Sequence, residues 1–196
     1  MQQVNRSWSS VFGAAALLAG WFGSNHSMAA VEAAAPADTV SSEWQHRKLT
    51  FSYFGFTTLY TCDGLEDHVK QILLHLGARK DLKVTATGCP GPFNSPSHSA
   101  WVNVDFYALA PAGVPGSETV KAHWTPVELT PQRPHFMGGG DCELIQGMKD
   151  LITKNFTLRA VEYRTNCVPH EVTLNGFSVK GQALRVFPSV PSAVTG

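Results

Sequence analysis

The sequence predicts an α+β protein made of two tandem β-α-β-β units, with an antiparallel sheet covered by two helices and stapled by disulfides. Three observations support this class. Apolar residues alternate between helical and strand periodicity along the chain. The four cysteines form two pairs of nearly equal spacing, and the same order of elements accompanies each pair. We therefore expect a single domain at 38–187, with unit one at about 46–110 and unit two at about 118–187.

The first 37 residues resemble a signal peptide and processing region rather than part of the fold. Arg6 precedes an apolar run, Val11 to Gly23, of about 13 residues, the length of a signal-peptide core. A membrane span needs about 20 apolar residues. Small residues follow the run, so we expect cleavage to leave a mature terminus between Ala30 and Asp38. The protein is then periplasmic or secreted, without stable membrane insertion after cleavage.

Unit one begins with an aromatic-rich strand from Lys48 to Thr61. Asp63 and Glu66 approximate a capping box for the helix that follows, and Gly77 can end that helix in a left-handed conformation. Strands are predicted at 81–89, where polar and apolar residues alternate, and at 100–110. The helix has one apolar stripe, formed by Leu65, Val69, Ile72, Leu73 and Leu76.

Unit two repeats this order, with strands predicted at 119–129, 157–167 and 171–187. Gly176 would mark a bulge in the last strand. Between the first two strands the pattern predicts one helix that ends at Lys154-Asn155, with Asp141 and Glu143 compensating the helix dipole at its start. We expect a flexible joint at 138–140, which is three glycines, and a flexible tail at 188–196. The apolar stripe of the helix is Leu144, Met148, Leu151 and Ile152.

The cysteines are expected to pair within units. A helix of about 14 residues rises about 21 Å at 1.5 Å per residue. A returning strand of about 7 or 8 residues descends about 25 Å. A cysteine before the helix therefore ends level with a cysteine at the end of the strand. This predicts disulfides between Cys62 and Cys89 and between Cys142 and Cys167.

Charge and motifs exclude several classes of protein. The 15 basic residues balance the 15 acidic residues, with no basic run, so we expect no nucleic-acid partner. The chain has no nucleotide-binding loop, no nucleophile elbow and no C-x-x-C pair. We therefore assign no catalytic residue. An envelope enzyme with dispersed active-site residues stays open as an alternative.

We expect no cofactor and no metal. The loop Cys62-Asp63-Gly64-Leu65 holds one thiol, and a disulfide would occupy it. His68 and His75 lie about 10 Å apart along the helix, too far for both to ligate one ion, and we expect them to be solvated. A histidine-based metal-binding protein is the remaining alternative, and its candidate ligands are His68, His123, His135 and His170.

Aromatic residues are the main candidate for function. They lie on both faces of the first strand, because alternate side chains of a strand point in opposite directions. A row left exposed would form a partner surface, whereas a strand sandwiched between two layers would have both rows buried. We therefore expect a disulfide-stabilised binding or interaction protein of the cell envelope, whose partner is a protein or a small-molecule ligand. The predicted partner surface comprises Phe51, Tyr53, Phe54, Phe56 and Tyr60.

Overall fold

The computed structural model of the protein describes residues 38–89, 95–113 and 118–187. The predicted signal region, 1–37, and the predicted tail, 188–196, lie outside the described residues. The strands are β1 Thr39–Phe54, β2 Lys83–Thr87, β3 Ser99–Pro111, β4 Val120–Leu129, β5 Leu158–Thr165 and β6 Phe177–Val186. The helices are α1 Cys62–His75, a 3-10 turn Gly139–Asp141, α2 Cys142–Gly147 and α3 Lys149–Asn155.

All six strands join one antiparallel sheet in the order β2-β3-β1-β4-β6-β5. β1 and β4 pair only where Thr39–Ser42 meets Val120–His123. Beyond that point β1 continues along β3, while β4 continues along β6. The predicted α+β class with antiparallel sheet is confirmed. No helix of the described part of the chain is long and apolar enough to cross a membrane.

The main core lies between the helices and one face of the sheet. Both predicted helical stripes are buried there, including Leu65 and Ile72 of α1 and Leu144 and Ile152 of the second helical region. Alternate strand residues complete the core, because successive side chains of a strand point to opposite faces. The largest of them are Tyr53, Phe106, Leu129 and Phe177.

A smaller apolar cluster lies on the other face, at the centre of the sheet. It forms where β1 passes from its pairing with β4 to its pairing with β3, and Trp44 and Trp124 pack against it. Its members are Val40, Trp44, Leu109, Val120, Ala122, Trp124 and Leu184. The face away from the helices is therefore apolar in the middle.

Helix α1 is capped by a residue that was not predicted as its cap. The Thr61 hydroxyl accepts a hydrogen bond from Gly64 N at 3.0 Å, as an N-cap side chain does. Glu66, predicted to close a capping box, instead accepts from Ala86 N of β2 at 2.8 Å. Gly77 has φ +98°, so the left-handed end of the helix is confirmed.

The second helical region is broken into α2 and α3 at Met148, where one continuous helix was predicted. Gly147, directly before the break, lies so close to β1 that a Cβ would stand 3.2 Å from the Ser52 carbonyl oxygen. Glycine also weakens a helix by about 1 kcal/mol relative to alanine. The close approach to β1 and the low helix propensity coincide at the break.

Two predictions about glycines are wrong. Gly140 is not part of a flexible joint: a Cβ there would lie 2.2 Å from Thr58 Oγ1, so the 3-10 turn is tightly packed. Gly176 is not a bulge within a strand, because β6 starts one residue later at Phe177. A Cβ at Gly176 would lie 3.1 Å from Cys142 Sγ, which shows how closely this turn packs on α2.

Both predicted disulfides are confirmed. Cys62 is bonded to Cys89, with Cα atoms 5.9 Å apart, and Cys142 is bonded to Cys167, with Cα atoms 5.5 Å apart. Each links the start of a helix to the chain just after the strand that returns from it. Two bonded cysteine pairs are typical of proteins in an oxidising, extracellular compartment.

Candidate functional site: an uncovered sheet face with an aromatic rim

The half of the sheet formed by β2, β3 and β1 presents a polar face on the side away from the helices. Register places its side chains in rows across the three strands, because every second residue of each strand points outward. We call this surface the outer face. Its rows are Thr87, Trp101 and Ser52; Thr85, Asn103 and Thr50; Lys83, Asp105 and Lys48; and Tyr107 with His46.

Hydrogen bonds between neighbouring strands orient side chains in three of these rows. Thr50 Oγ1 donates to Asn103 Oδ1 at 2.7 Å, and His46 Nε2 lies 2.7 Å from Asp105 Oδ1. The hydrogen bond with His46 holds the pKa of Asp105 below its usual value, and the charges of His46, Lys48 and Lys83 add to that effect. Asp105 therefore stays a carboxylate at neutral pH.

Three exposed aromatic side chains border one end of the outer face, and we call them the aromatic rim: Phe54, Phe56 and Trp101. Their exposed fractions are 59%, 43% and 60%. Phe54 and Phe56 meet edge to face with centroids 4.9 Å apart, and His170 lies 5.4 Å from Phe56. Exposed apolar surface of this kind is a common mark of an interaction site.

Trp101 is held in place although most of its surface is in solvent. Gly88 has φ +82°, and a Cβ on it would stand 2.8 Å from Trp101 Cε3. Only glycine therefore lets the indole approach the backbone so closely. The next residue, Cys89, is tied to Cys62, so the disulfide anchors the segment against which the indole rests.

The aromatic rim and the polar rows enclose two adjoining depressions. The first has a volume of about 250 Å³ and lies between Phe54 and Trp101, with Ser52 and Ser99 beside them. The second, about 580 Å³, lies over the charged and hydroxyl rows and includes Lys48, Thr50, Lys83, Thr85, Asn103 and Asp105. Both depressions lie against side chains of the sheet.

The five predicted partner-surface residues do not lie on one surface. Phe54 and Phe56 are exposed. Tyr53 is buried, at 1% exposure, while Phe51 and Tyr60 are partly buried against the main core. Strand alternation explains this split, since the odd-numbered residues Phe51 and Tyr53 point towards the helices.

Trp101 belongs to the same surface, but it was not among the predicted residues. It alternates with the apolar residues Ala100 and Val102, which are buried. This alternation predicts an outward-pointing tryptophan, because one face of the strand must cover the core. The signal was present in the pattern of β3.

A second cluster of polar groups, the polar junction, links the two halves of the chain: Tyr60, His68, Asp141 and Glu143. The Tyr60 hydroxyl donates to Asp141 Oδ1, and His68 Nε2 lies 3.1 Å from the same oxygen. Gly138 N donates to Asp141 Oδ2 at 2.6 Å. Glu143 Oε2 accepts from the backbone N–H groups of Phe56 and Thr57, at 2.8 and 2.9 Å.

Asp141 and Glu143 were predicted to compensate a helix dipole. Their main contacts are instead with residues of the first half of the chain: Asp141 with Tyr60 and His68, and Glu143 with the backbone of Phe56 and Thr57. Burial raises the pKa of Asp141, but His68 and the hydrogen bond from Tyr60 outweigh that effect, so the pKa lies below its usual value. Burial, and then the charge of Asp141, raise the pKa of Tyr60. The result is a buried carboxylate with a protonated tyrosine beside it.

Two histidine predictions are wrong. His68 and His75 are not solvated helix residues: the His68 side chain is 14% exposed beside Asp141, and His75 Nε2 lies 3.1 Å from the Glu128 carbonyl oxygen. Burial lowers the pKa of His75, and the charge of Arg185 lowers it further. Among residues 38–89, 95–113 and 118–187, no three His, Cys, Asp or Glu side chains form a group able to hold a metal ion.

A charged cleft of about 500 Å³ lies in the other half of the sheet, at the ends of β4, β5 and β6. Its cations are largely matched by acids: Lys180 Nζ lies 2.9 Å from Glu128, and Arg164 lies 3.5 Å from Glu162. The exposed Leu174 borders this cleft. Of these surfaces, the outer face with its rim combines exposed aromatic rings with ordered polar groups.

Comparison with known proteins identifies no relative: no protein-family model, no curated protein and no solved structure matches this chain significantly.

Proposed function

We propose that this protein is an exported, disulfide-stabilised binding protein of the cell envelope that holds its ligand on the outer face and the aromatic rim. One observation carries the proposal: Trp101 is 60% exposed and yet pressed against Gly88 in a conformation that tolerates no side chain at that position. Trp101 lies beside two further exposed aromatic rings, Phe54 and Phe56, and together they form an apolar surface that a ligand can cover. Binding to it loses little side-chain entropy.

The proposed location is periplasmic or secreted, after removal of a signal peptide. The two disulfides support it, since such bonds persist in oxidising compartments. The apolar run Val11 to Gly23 is the second argument. Terminal sequencing of the protein recovered from the envelope should start between Ala30 and Asp38, and an intact Met1 terminus would contradict export with cleavage.

We also propose that the domain consists of two tandem β-α-β-β units. The order of strands supports this arrangement, because β2-β3-β1 on one side of the sheet corresponds to β5-β6-β4 on the other. Helix α1 follows β1, and the broken helix of α2 and α3 follows β4. In this arrangement the aromatic rim belongs to unit one alone.

An enzymatic role is the alternative, and the polar junction is where it would be centred. The Asp141 side chain is 9% exposed and that of His68 14%, so a dissolved substrate has little access to either. Hydrogen bonding between the two halves accounts for the polar junction without catalysis. This accessibility favours the binding role of the outer face.

Co-sedimentation with the insoluble envelope fraction of the host cell tests the proposed function. Purified protein should sediment with this fraction in a saturable way. Trp101→Ala and Phe54→Ala should each weaken that binding severalfold. Leu174→Ala is the matched control, because Leu174 is 71% exposed but borders the charged cleft. Equal binding by all four proteins would refute the outer face as the binding surface.

A further inference from the structure

We propose that the outer face binds a linear β-1,4-linked N-acetylhexosamine chain. This inference rests on the proposed binding function and names its ligand class. Four features of the molecule support it: the stacking surface of Trp101, the polar groups that Asn103 and Asp105 offer, the length of the face and its charge.

Trp101 provides a stacking surface for a sugar ring. One side of a pyranose is lined by C–H groups, which pack on the electron-rich face of an indole, while its hydroxyls point outward from the ring edge. The depression of about 250 Å³ between Phe54 and Trp101 places the hydroxyls of Ser52 and Ser99 beside the stacking site. The indole ring can thus contact the C–H side of the sugar, while the serine hydroxyls can contact the sugar hydroxyls at its edge.

The next polar groups along β3 complement an acetamido group. Asn103 uses Oδ1 to accept from Thr50, so Nδ2 is the donor that it offers to a ligand carbonyl. Asp105 uses Oδ1 with His46, so Oδ2 is the acceptor that it offers to a ligand N–H. The low pKa of Asp105 keeps that acceptor ionised at neutral pH.

The shape of the face suits an extended chain. From His46 to Phe54 the outward residues of β1 span eight steps, about 27 Å at about 3.4 Å per residue. β-1,4 linkage keeps successive sugar rings in an extended ribbon, whereas α-1,4 linkage coils the chain. A strand face of this length can follow the first type of polymer over several rings.

Charge and hydrogen bonding disfavour other polymers. Lys48 and Lys83 flank Asp105, so the face has only a small positive excess and lacks the basic surface that nucleic acid requires. Peptides that add to sheets use the backbone groups of an exposed strand edge. β2 is the edge strand of this half of the sheet, but Trp101, Asn103 and Asp105 lie on β3, which is paired on both sides, so a ligand over them contacts side chains only.

Calorimetric titration of the purified protein with chitohexaose, cellohexaose and maltohexaose tests the inference. Chitohexaose should bind, cellohexaose should bind more weakly, and maltohexaose should not bind measurably. Trp101→Ala should lower the association constant for chitohexaose about tenfold, the order expected for loss of one stacked ring. Asn103→Ala should reduce the preference for chitohexaose over cellohexaose, and Leu174→Ala should change neither.

Several results would overturn the inference. No binding of chitohexaose at millimolar concentration would refute the ligand class, and unchanged binding by Trp101→Ala would refute the site. Equal affinity for cellohexaose would show that the acetamido group is not recognised. If envelope binding depends on Trp101 but no hexasaccharide binds, the proposed function stands and the glycan assignment fails. If chitohexaose binds through Trp101 but the protein does not bind the envelope, the glycan assignment stands and the proposed envelope-binding function fails.

Discussion

At the scale of single residues, two contacts join the halves of the chain through the 3-10 turn. In the first contact, Thr58 Oγ1 donates to the Gly140 carbonyl at 2.9 Å. In the second, the Tyr60 hydroxyl donates to Asp141, the last residue of the turn. Each contact depends on one residue type: the first requires the absence of a side chain, and the second requires a carboxylate. Both can be tested by conservative substitutions.

Gly140→Ala should destabilise the protein, because its Cβ would lie 2.2 Å from Thr58 Oγ1. We expect a loss of about 1–3 kcal/mol in the free energy of unfolding, the usual cost of overpacking. Urea denaturation measures it. Gly113→Ala is the matched control, since no atom of the described residues, apart from its chain neighbours, lies within 4 Å of the position that its Cβ would take. The loss should shrink in a Thr58→Ala background, and an unchanged loss there would contradict the steric cause.

Asp141→Asn should reduce stability by about 1–3 kcal/mol at pH 7, because it replaces a buried, hydrogen-bonded carboxylate. The folded pKa of Asp141 lies below its unfolded value of about 3.9. Its contribution is therefore complete above about pH 4 and is lost as pH falls through the folded pKa. Urea denaturation of both proteins from pH 7 to pH 2.5 should show the difference narrowing in acid. A constant difference would argue against this ionisation.

At the scale of elements, α1 has features that depend on the local sequence and one contact that depends on the sheet. Thr61 caps its first turn, Gly77 ends it, and Glu66 binds the backbone of β2. The apolar stripe and the end of α1 were predicted correctly, because both depend on residues close in the sequence. Glu66 was wrongly assigned to the helix cap, because its partner, Ala86, lies 20 residues further along the chain.

Thr61→Ala should cost about 1 kcal/mol in the free energy of unfolding, the typical effect of losing an N-cap side chain. Asp67→Ala is the control, since Asp67 is an exposed residue within the same helix. Guanidinium denaturation monitored by circular dichroism compares the two variants with the native protein. Thr61→Ser should retain the cap, so an equal loss in Thr61→Ser and Thr61→Ala would rule out the capping role.

At the scale of the whole molecule, each half of the chain has one disulfide, which joins the start of a helix to the chain after the returning strand. Cys62–Cys89 closes a sequence separation of 27 residues next to the Trp101 contact, and Cys142–Cys167 closes 25 residues at the start of α2. In the chain-entropy account, such closures stabilise mainly by restricting the unfolded chain. Cys62–Cys89 also ties the chain after β2, beside the outer face, to the start of α1.

Replacing Cys62 and Cys89 together by serine should lower the free energy of unfolding by about 2–5 kcal/mol, the usual cost of removing a native disulfide from a small secreted domain. The single variant Cys62→Ser should also leave Cys89 reactive towards thiol reagents. The matched variant replaces Cys142 and Cys167. If both double variants lower stability but only the replacement of Cys62 and Cys89 weakens envelope binding, that disulfide positions Trp101. Equal effects of the two double variants on binding would contradict that role.

The sequence alone determined the features that depend on local pattern. Apolar spacing located α1 and the buried stripe of the second helical region, and strand alternation located most of β2, β3 and β4. Element lengths also set the cysteine pairing, since a helix and its returning strand bring their ends to one level. These properties follow from helix and strand periodicity, which acts over a few residues.

The tertiary structure decided everything that depends on contacts between distant segments. It paired Asp141 with Tyr60 and His68, and it buried Tyr53 while leaving Phe54 exposed. It also placed Trp101 over Gly88, forming one wall of a depression. No local pattern encodes these pairings, because strand order and register decide which residues meet across a sheet, and a shift of one residue would turn every side chain to the opposite face.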